Sequence, residues 1–168
     1  MSVAYFAYGS NMRSAWLRAR VPNAAVHRRA ELRDYELRFR KRSSDGSSKC
    51  DVVPADGRVV HGVVFEIPLD EKPTLDAAEG LGRGYQEIRC TVTTPEGVSI
   101  EAFMYVAEAN AIDEDLLPYS WYKRIVLAGA REHGLPAAFV ATLEQMECRD
   151  DPEDERAQRA LRRAELSE

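Results

Sequence analysis

The chain has 168 residues, of which 45% are hydrophobic and 30% are charged, and its formal net charge at pH 7 is −5. This length and composition are typical of one ordinary globular domain. The acidic balance and the lack of any apolar run of ~20 residues predict a cytoplasmic protein with neither a nucleic-acid nor a membrane partner.

Six segments of the sequence have the pattern of β-strands. Some alternate apolar with polar residues, as strands do when one face is wet, and others are apolar throughout. In residue numbers they are 3–8, 32–39, 49–53, 59–67, 86–93 and 99–106. Between the last two, Pro95, Glu96 and Gly97 predict a hairpin turn.

Helical patterns lie between and after these strands. A short helix is expected after Ser10, a second over residues 70–79 before Gly80, and a third over 120–134 before Pro136. Strands and helices do not strictly alternate, so the pattern predicts an α+β fold rather than a doubly wound sheet.

The composition changes near residue 150, where a run of mixed charges with few apolar residues begins. The sequence therefore predicts one globular domain over residues 1–150, which the resemblance described below implies to be catalytic, and a charged tail over 151–168. The tail is expected to form a helix that lies on the domain or leads away from it.

The end of the first strand is a candidate binding site. Tyr8, Gly9, Ser10 and Asn11 stand where a strand passes into a helix, and the backbone N–H groups there have no partner within the helix. Such a turn favours a carboxylate, a phosphate or a developing oxyanion. A plain capped turn has the same residue requirements, and the local sequence does not separate the two.

Glu79 is a candidate general acid and base. It stands at the end of a predicted helix, immediately before Gly80, Gly82 and Gly84. The helix macrodipole disfavours negative charge there, and a carboxyl that readily takes and returns a proton suits proton transfer. The competing interpretation is an ordinary solvated residue at a helix end.

The cysteines and histidines do not have the spacing of a metal site. Cys50, Cys90 and Cys148 are far apart without a C-x-x-C pair, and the three histidines have no partner at ligand spacing. The sequence therefore predicts no metal site.

Three stretches taken in order resemble the γ-glutamylcyclotransferase family. The residues that carry this resemblance are Tyr5-Phe6-Ala7-Tyr8-Gly9-Ser10-Asn11, then Leu75-Asp76 with Glu79-Gly80, then Tyr122-Lys123, Gly129-Ala130 and Gly134-Leu135-Pro136, with a weaker match at residues 60–65. The resemblance covers about residues 3 to 150.

The resemblance implies a small closed mixed β-barrel of about six strands with helices packed outside. It also implies the release of 5-oxoproline from a small-molecule γ-glutamyl amino acid without a cofactor, and a possible homodimer. In the family, the residue matching Glu79 is the proton acceptor. The residues that it implies for substrate binding are Tyr5, Phe6, Ala7, Tyr8, Gly9, Ser10 and Tyr122.

Two other functions remain open from the sequence. In the first, the same ring closure releases a different leaving group, from γ-glutamyl-lysine, glutathione or a protected natural product. In the second, the fold is a non-catalytic anion-binding module, for which Glu79 would have no use. The glycine-rich run also leaves the roles of Arg83 and Tyr85 undecided.

Overall fold

A closed β-barrel forms the centre of the protein, as a computed structural model shows; the structure describes residues 1–167. The five strands are β1 (Ser2–Ala7), β2 (Ala25–Arg42), β3 (Ser48–Pro68), β4 (Tyr85–Thr93) and β5 (Ser99–Ala107). Around the barrel they are neighbours in the order β1-β3-β2-β4-β5. The closing pair, β1 with β5, is parallel, and the other pairs are antiparallel. This confirms the predicted mixed barrel.

The strand count is five rather than six because two predicted strands are parts of one. The segments 49–53 and 59–67 both belong to β3, which pairs with β2 along its length. Residues between Pro54 and Val59 bulge from the ladder opposite Asp34, whose Oδ1 atom accepts a hydrogen bond of 2.9 Å from the backbone N–H of Gly57. A turn-like sequence is thus a bulge that bends a continuous strand.

Five α-helices lie outside the barrel. They are α1 (Ser14–Arg18), α2 (Lys72–Glu79), α3 (Ser120–Glu132), α4 (Ala137–Gln145) and α5 (Asp154–Arg163), and short 3-10 helices occupy Ser10–Met12 and Ala109–Ala111. The helix expected over residues 70–79 begins two residues later, at Lys72, and ends as expected at Gly80, where φ is +76°. Within the described residues, no helix is long and apolar enough to cross a membrane.

The packing of α3 brings two distant parts of the chain together. A Cβ atom on Gly129 would lie 2.5 Å from the backbone nitrogen of Arg13, so the helix passes directly against the segment that follows β1. Tyr122, two turns earlier on the same helix, thereby lies beside Gly9, with its hydroxyl 3.3 Å from the position of a Cβ on that glycine. The fold therefore places a residue of α3 at the end of β1.

Candidate active site

The loop after β1 carries backbone N–H groups without protein partners. Among the described residues, no protein atom accepts a hydrogen bond from the N–H of Gly9 or Ser10. A Cβ on Gly9 would lie 3.1 Å from Cβ of Cys50, so the loop is pressed against β3. The φ of Gly9 is −117°, outside the left-handed region that favours glycine. The close approach of Cys50 therefore requires the small size of glycine at this position and not its backbone freedom.

Glu79 lies opposite this loop with one carboxylate oxygen fixed. Oε1 accepts a hydrogen bond of 2.9 Å from Nδ2 of Asn11 and one of 3.1 Å from Nη1 of Arg20. Within the described part of the chain, Oε2 has no such partner. The side chain of Glu79 is 17% exposed. The carboxylate is therefore held in place while one of its oxygens remains available.

Asn11 connects the groups around Glu79. Its Nδ2 atom also donates to the hydroxyl of Tyr5 at 3.0 Å, and its Oδ1 atom accepts a hydrogen bond of 2.7 Å from Nη2 of Arg20. The guanidinium of Arg20 stacks on Trp16, 4.9 Å from the ring centroid. Four side chains from separate segments thus form one hydrogen-bonded network.

Buried phenols form the wall of the site. Burial raises the pKa of each of them, so all stay neutral hydrogen-bonding groups. They are Tyr5, Tyr8, Tyr85, Tyr105 and Tyr122. Several are fixed through their hydroxyls: Tyr85 donates to the carbonyl of Cys50 at 2.5 Å, and Tyr122 accepts from the N–H of the same residue at 3.1 Å. Burial also raises the pKa of the Cys50 thiol to about 12, which makes it a poor nucleophile.

Two chambers that share lining residues lie between these residues. The smaller one, of about 30 Å³, is lined by the phenols, the Gly9–Ser10 loop and Glu79, and we call it the inner chamber. The larger one, of about 190 Å³, shares Ser10, Glu79, Tyr85 and Tyr122 with it, and we call it the outer chamber. Glu79 therefore lines both the smaller and the larger chamber.

Comparisons with known proteins identify the family. The model of the AIG2-like family matches residues 59–143. The γ-glutamylcyclotransferases of Bos taurus and Homo sapiens are each 32% identical over 155 residues, which cover 89% of this chain and 81% of each relative. The chain belongs to the γ-glutamylcyclotransferase family. This confirms the resemblance drawn from the three sequence stretches, and the family is one of enzymes.

Solved structures agree with this assignment. A γ-glutamyl cyclotransferase that is 28% identical superposes with a TM-score of 0.85, covering 95% of this chain and 99% of that chain. A Homo sapiens protein described as uncharacterized is 30% identical and superposes with a TM-score of 0.87, covering 96% of this chain and 98% of that chain. The barrel and its surrounding helices are thus those of the γ-glutamylcyclotransferase fold.

The structure brings most of the predicted site residues to the inner chamber. Those that line it are Tyr5, Tyr8, Gly9, Ser10, Glu79 and Tyr122. Phe6 and Ala7, which the resemblance also implied, are fully buried and do not line it.

The structure also places the two residues whose roles the sequence left undecided. Tyr85 lines both chambers, whereas Arg83 donates a hydrogen bond of 3.2 Å to the carbonyl of Ala77 on the surface of α2.

Sequence reasoning missed the network that holds Glu79. Asn11 belongs to the run that predicts the candidate turn and carries the family resemblance, but neither observation assigns it a contact with Glu79. Arg20 and Glu79 are 59 residues apart in the sequence, and Tyr105 lies on β5, far in sequence from the other site residues. No local sequence pattern therefore indicates that either Arg20 or Tyr105 belongs to the site. These contacts depend on barrel closure.

Proposed function

We propose that this member of the γ-glutamylcyclotransferase family releases 5-oxoproline from γ-glutamyl amino acids. The observation that carries the proposal is the position of Glu79, which lines one small chamber together with Gly9 and Ser10, whose N–H groups have no protein acceptor among the described residues. Relatives of that name at 32% identity support the reaction class. Glu79 is proposed as the proton-transfer group and the chamber residues as the binding site for the glutamyl part.

In the proposed reaction, the α-amine of the substrate attacks its own γ-carbonyl carbon. A new C–N bond closes the five-membered ring, and the original amide C–N bond then breaks to release the leaving amine. The atoms balance without water, because the proton lost by the attacking amine ends on the departing nitrogen. Holding the chain folded makes the attack intramolecular, and oriented groups reach effective molarities of ~10⁵ M or more.

Glu79 suits both halves of this proton transfer. Asn11 and Arg20 bind Oε1, which leaves Oε2 as the proposed acceptor of the amine proton. The same atom then returns the proton to the leaving nitrogen, as a general base that becomes a general acid. A carboxyl group whose direction is fixed serves this purpose.

The loop amides and neutral phenols suit the charge that develops on the substrate. The N–H groups of Gly9 and Ser10 can stabilise the oxyanion on the γ-carbonyl or bind the α-carboxylate, and both are anionic acceptors. The phenols of Tyr5 and Tyr122 complete the wall without adding a competing charge. No protein nucleophile is required.

The assay that tests this proposal is the release of 5-oxoproline. We expect the purified protein to form it from γ-glutamyl-L-alanine, with glutathione and γ-glutamyl-ε-lysine tested separately as alternative substrates. Release only from one of the latter would change the leaving group, and binding without release from any of them would favour the non-catalytic module. A homodimer is a proposal from the family resemblance, and light scattering after size-exclusion chromatography tests it. A cytoplasmic location is a proposal from the composition of the sequence.

We further propose residues 1–150 as the catalytic unit and residues 151–168 as a tail that supports it. The support for this is Asp151, which contacts Trp121 of α3, and Ala164, whose carbonyl accepts a hydrogen bond of 2.9 Å from Nε of Arg13. Activity and unfolding of a chain that ends at residue 150 test this division.

A further inference from the structure

The outer chamber contains one positive charge without a protein partner. Three cationic side chains line it: Arg20, Lys41 and Lys49. Arg20 pairs with Glu79 at 3.1 Å, and Lys49 pairs with Asp45 at 2.8 Å. Among the described residues, the ammonium of Lys41 has neither an ion pair nor a hydrogen bond. The charges of the chamber therefore cancel except at Lys41.

Lys41 is held at the chamber by close packing. The residue is 9% exposed, and its Nζ atom lies 4.7 Å from the ring centroid of Tyr85, which lines both chambers. A Cβ on Gly84 would lie 2.8 Å from Cε and 3.0 Å from Nζ, and the φ of +122° at Gly84 favours glycine. The ammonium of Lys41 thus lies against Gly84 and the ring of Tyr85.

An unpaired ammonium in such a place is costly. Burial lowers the pKa of Lys41, although Glu79 and Asp45 act against this effect. Buried charges in proteins are ordinarily paired. A carboxylate that enters the chamber would supply the missing partner, and a charge-assisted hydrogen bond to it would be stronger than a neutral one.

In the proposed reaction, the leaving part of the substrate would supply such a carboxylate. If the glutamyl part occupies the inner chamber, the scissile amide lies near Glu79, and the leaving group extends into the outer chamber. In a γ-glutamyl amino acid, the carboxylate of the leaving part is attached one carbon from the amide nitrogen. This carboxylate is the anionic group of the leaving part that lies nearest to the scissile amide, so it would lie in the outer chamber.

We propose that Lys41 binds the carboxylate of the leaving amino acid, which makes the outer chamber a subsite selective for leaving groups with a free α-carboxylate. This inference rests on the proposed function and specifies its substrate class. γ-Glutamyl amides of simple amines, and isopeptides joined through a side-chain amine, carry no carboxylate at this position. They are therefore expected to be poorer substrates.

The test compares two substrates that differ only in this charge, γ-glutamyl-L-alanine and γ-glutamyl-L-alaninamide. We expect wild type to prefer the first by about 10–100-fold in kcat/KM, the scale of one hydrogen bond to a charged group. Lys41→Met keeps most of the side-chain length and removes the charge, and it should lose most of that preference because its kcat/KM falls much more for γ-glutamyl-L-alanine than for the alaninamide. Arg58→Met, which removes a positive charge from a side chain that is 71% exposed, is the control and should keep the preference.

Equal losses on both substrates in Lys41→Met would overturn the inference, because Lys41 would then act on the glutamyl part or on Glu79. A wild type without preference would overturn it too. Calorimetry in a Glu79→Gln background, with and without Lys41→Met, measures the same preference in binding alone. Binding selectivity that depends on Lys41 in a wild type that releases no 5-oxoproline would support the subsite while rejecting the proposed reaction, and binding without that dependence would reject the subsite.

Discussion

Asn11 donates a hydrogen bond to Glu79, and this contact of 2.9 Å ties the loop after β1 to the end of α2. The orientation of the amide is determined by Arg20, which can only donate and therefore must face Oδ1 at 2.7 Å. Nδ2 consequently points to both Glu79 and the hydroxyl of Tyr5. The proposed proton acceptor and the proposed substrate loop are thus coupled through one side chain.

Replacing Glu79 tests the proton-transfer step. We expect Glu79→Gln to fold normally and to lose about 10²-fold or more in kcat, since the amide cannot accept a proton. Release of 5-oxoproline from γ-glutamyl-L-alanine gives the rate, and urea unfolding checks the fold. Glu147→Gln, at an exposed position away from the chambers, is the control and should keep full activity. Wild-type turnover in folded Glu79→Gln would reject the assignment.

Asn11→Leu tests whether the network positions Glu79. The substitution keeps the approximate size of the side chain but removes both of its polar atoms, so Glu79 and Tyr5 each lose a partner. We expect kcat to fall about tenfold, because a small misplacement of a catalytic group is costly. The free energy of unfolding should fall by about 1–3 kcal/mol, since buried polar groups are left unsatisfied. An unchanged kcat, measured alongside urea unfolding, would show that Glu79 does not depend on this contact.

The parts of the site that the sequence predicts are those made by neighbouring residues. Gly9 and Ser10 end a strand, and Glu79 ends a helix at Gly80, so periodicity and capping locate both. The same local reasoning does not distinguish Phe6 from Tyr5: both belong to β1, but only the tyrosine lines the chamber. Which face of that strand meets the chamber depends on how the barrel closes.

Long-range contacts and irregular ladders are what the sequence does not predict. Arg20 reaches Glu79 only because the segment after α1 returns to the end of α2, and no spacing rule encodes that. The bulge opposite Asp34 has the residues of a turn, yet β3 continues through it because β2 is long enough to pair on both sides. In each case the deciding interaction lies far away in the chain.

Substitutions of Gly9 test whether the loop after β1 binds the substrate. In Gly9→Ala the new Cβ would lie 3.1 Å from Cβ of Cys50 and 3.3 Å from the hydroxyl of Tyr122, so the loop must move by a few tenths of an ångström. We expect 5-oxoproline, followed by calorimetry, to bind about tenfold more weakly, and Gly9→Val to be worse than Gly9→Ala. Both variants must first be shown to be folded. Equal affinity in all three proteins would mean that the ligand binds elsewhere.

Asp151 links the tail to a wall of the outer chamber, and the protonation of its carboxylate should weaken this link. Its Oδ2 atom accepts a hydrogen bond of 2.8 Å from the indole of Trp121, which lines that chamber, and Arg156 donates to both carboxylate oxygens at 2.6 and 2.7 Å. Burial raises the pKa of Asp151, but the hydrogen bonds from Arg156, from the Glu153 N–H and from Trp121 outweigh it and hold the pKa at about 2. The ionised form is therefore favoured by the folded state.

A folded pKa below the unfolded reference of about 3.9 stabilises the protein above that reference, and the contribution is lost as the pH falls through about 2. We expect Asp151→Asn to lower the free energy of unfolding at pH 7 by about 2 kcal/mol, the scale of a hydrogen bond to a charged group. Urea unfolding at several pH values should show this difference from wild type narrowing between pH 4 and pH 2, because protonated aspartic acid resembles asparagine. Asp115→Asn, at an exposed position, serves as the control and should be close to wild type throughout. A deficit in Asp151→Asn that stays constant down to pH 2 would show that packing, and not the charge of Asp151, holds the tail against Trp121.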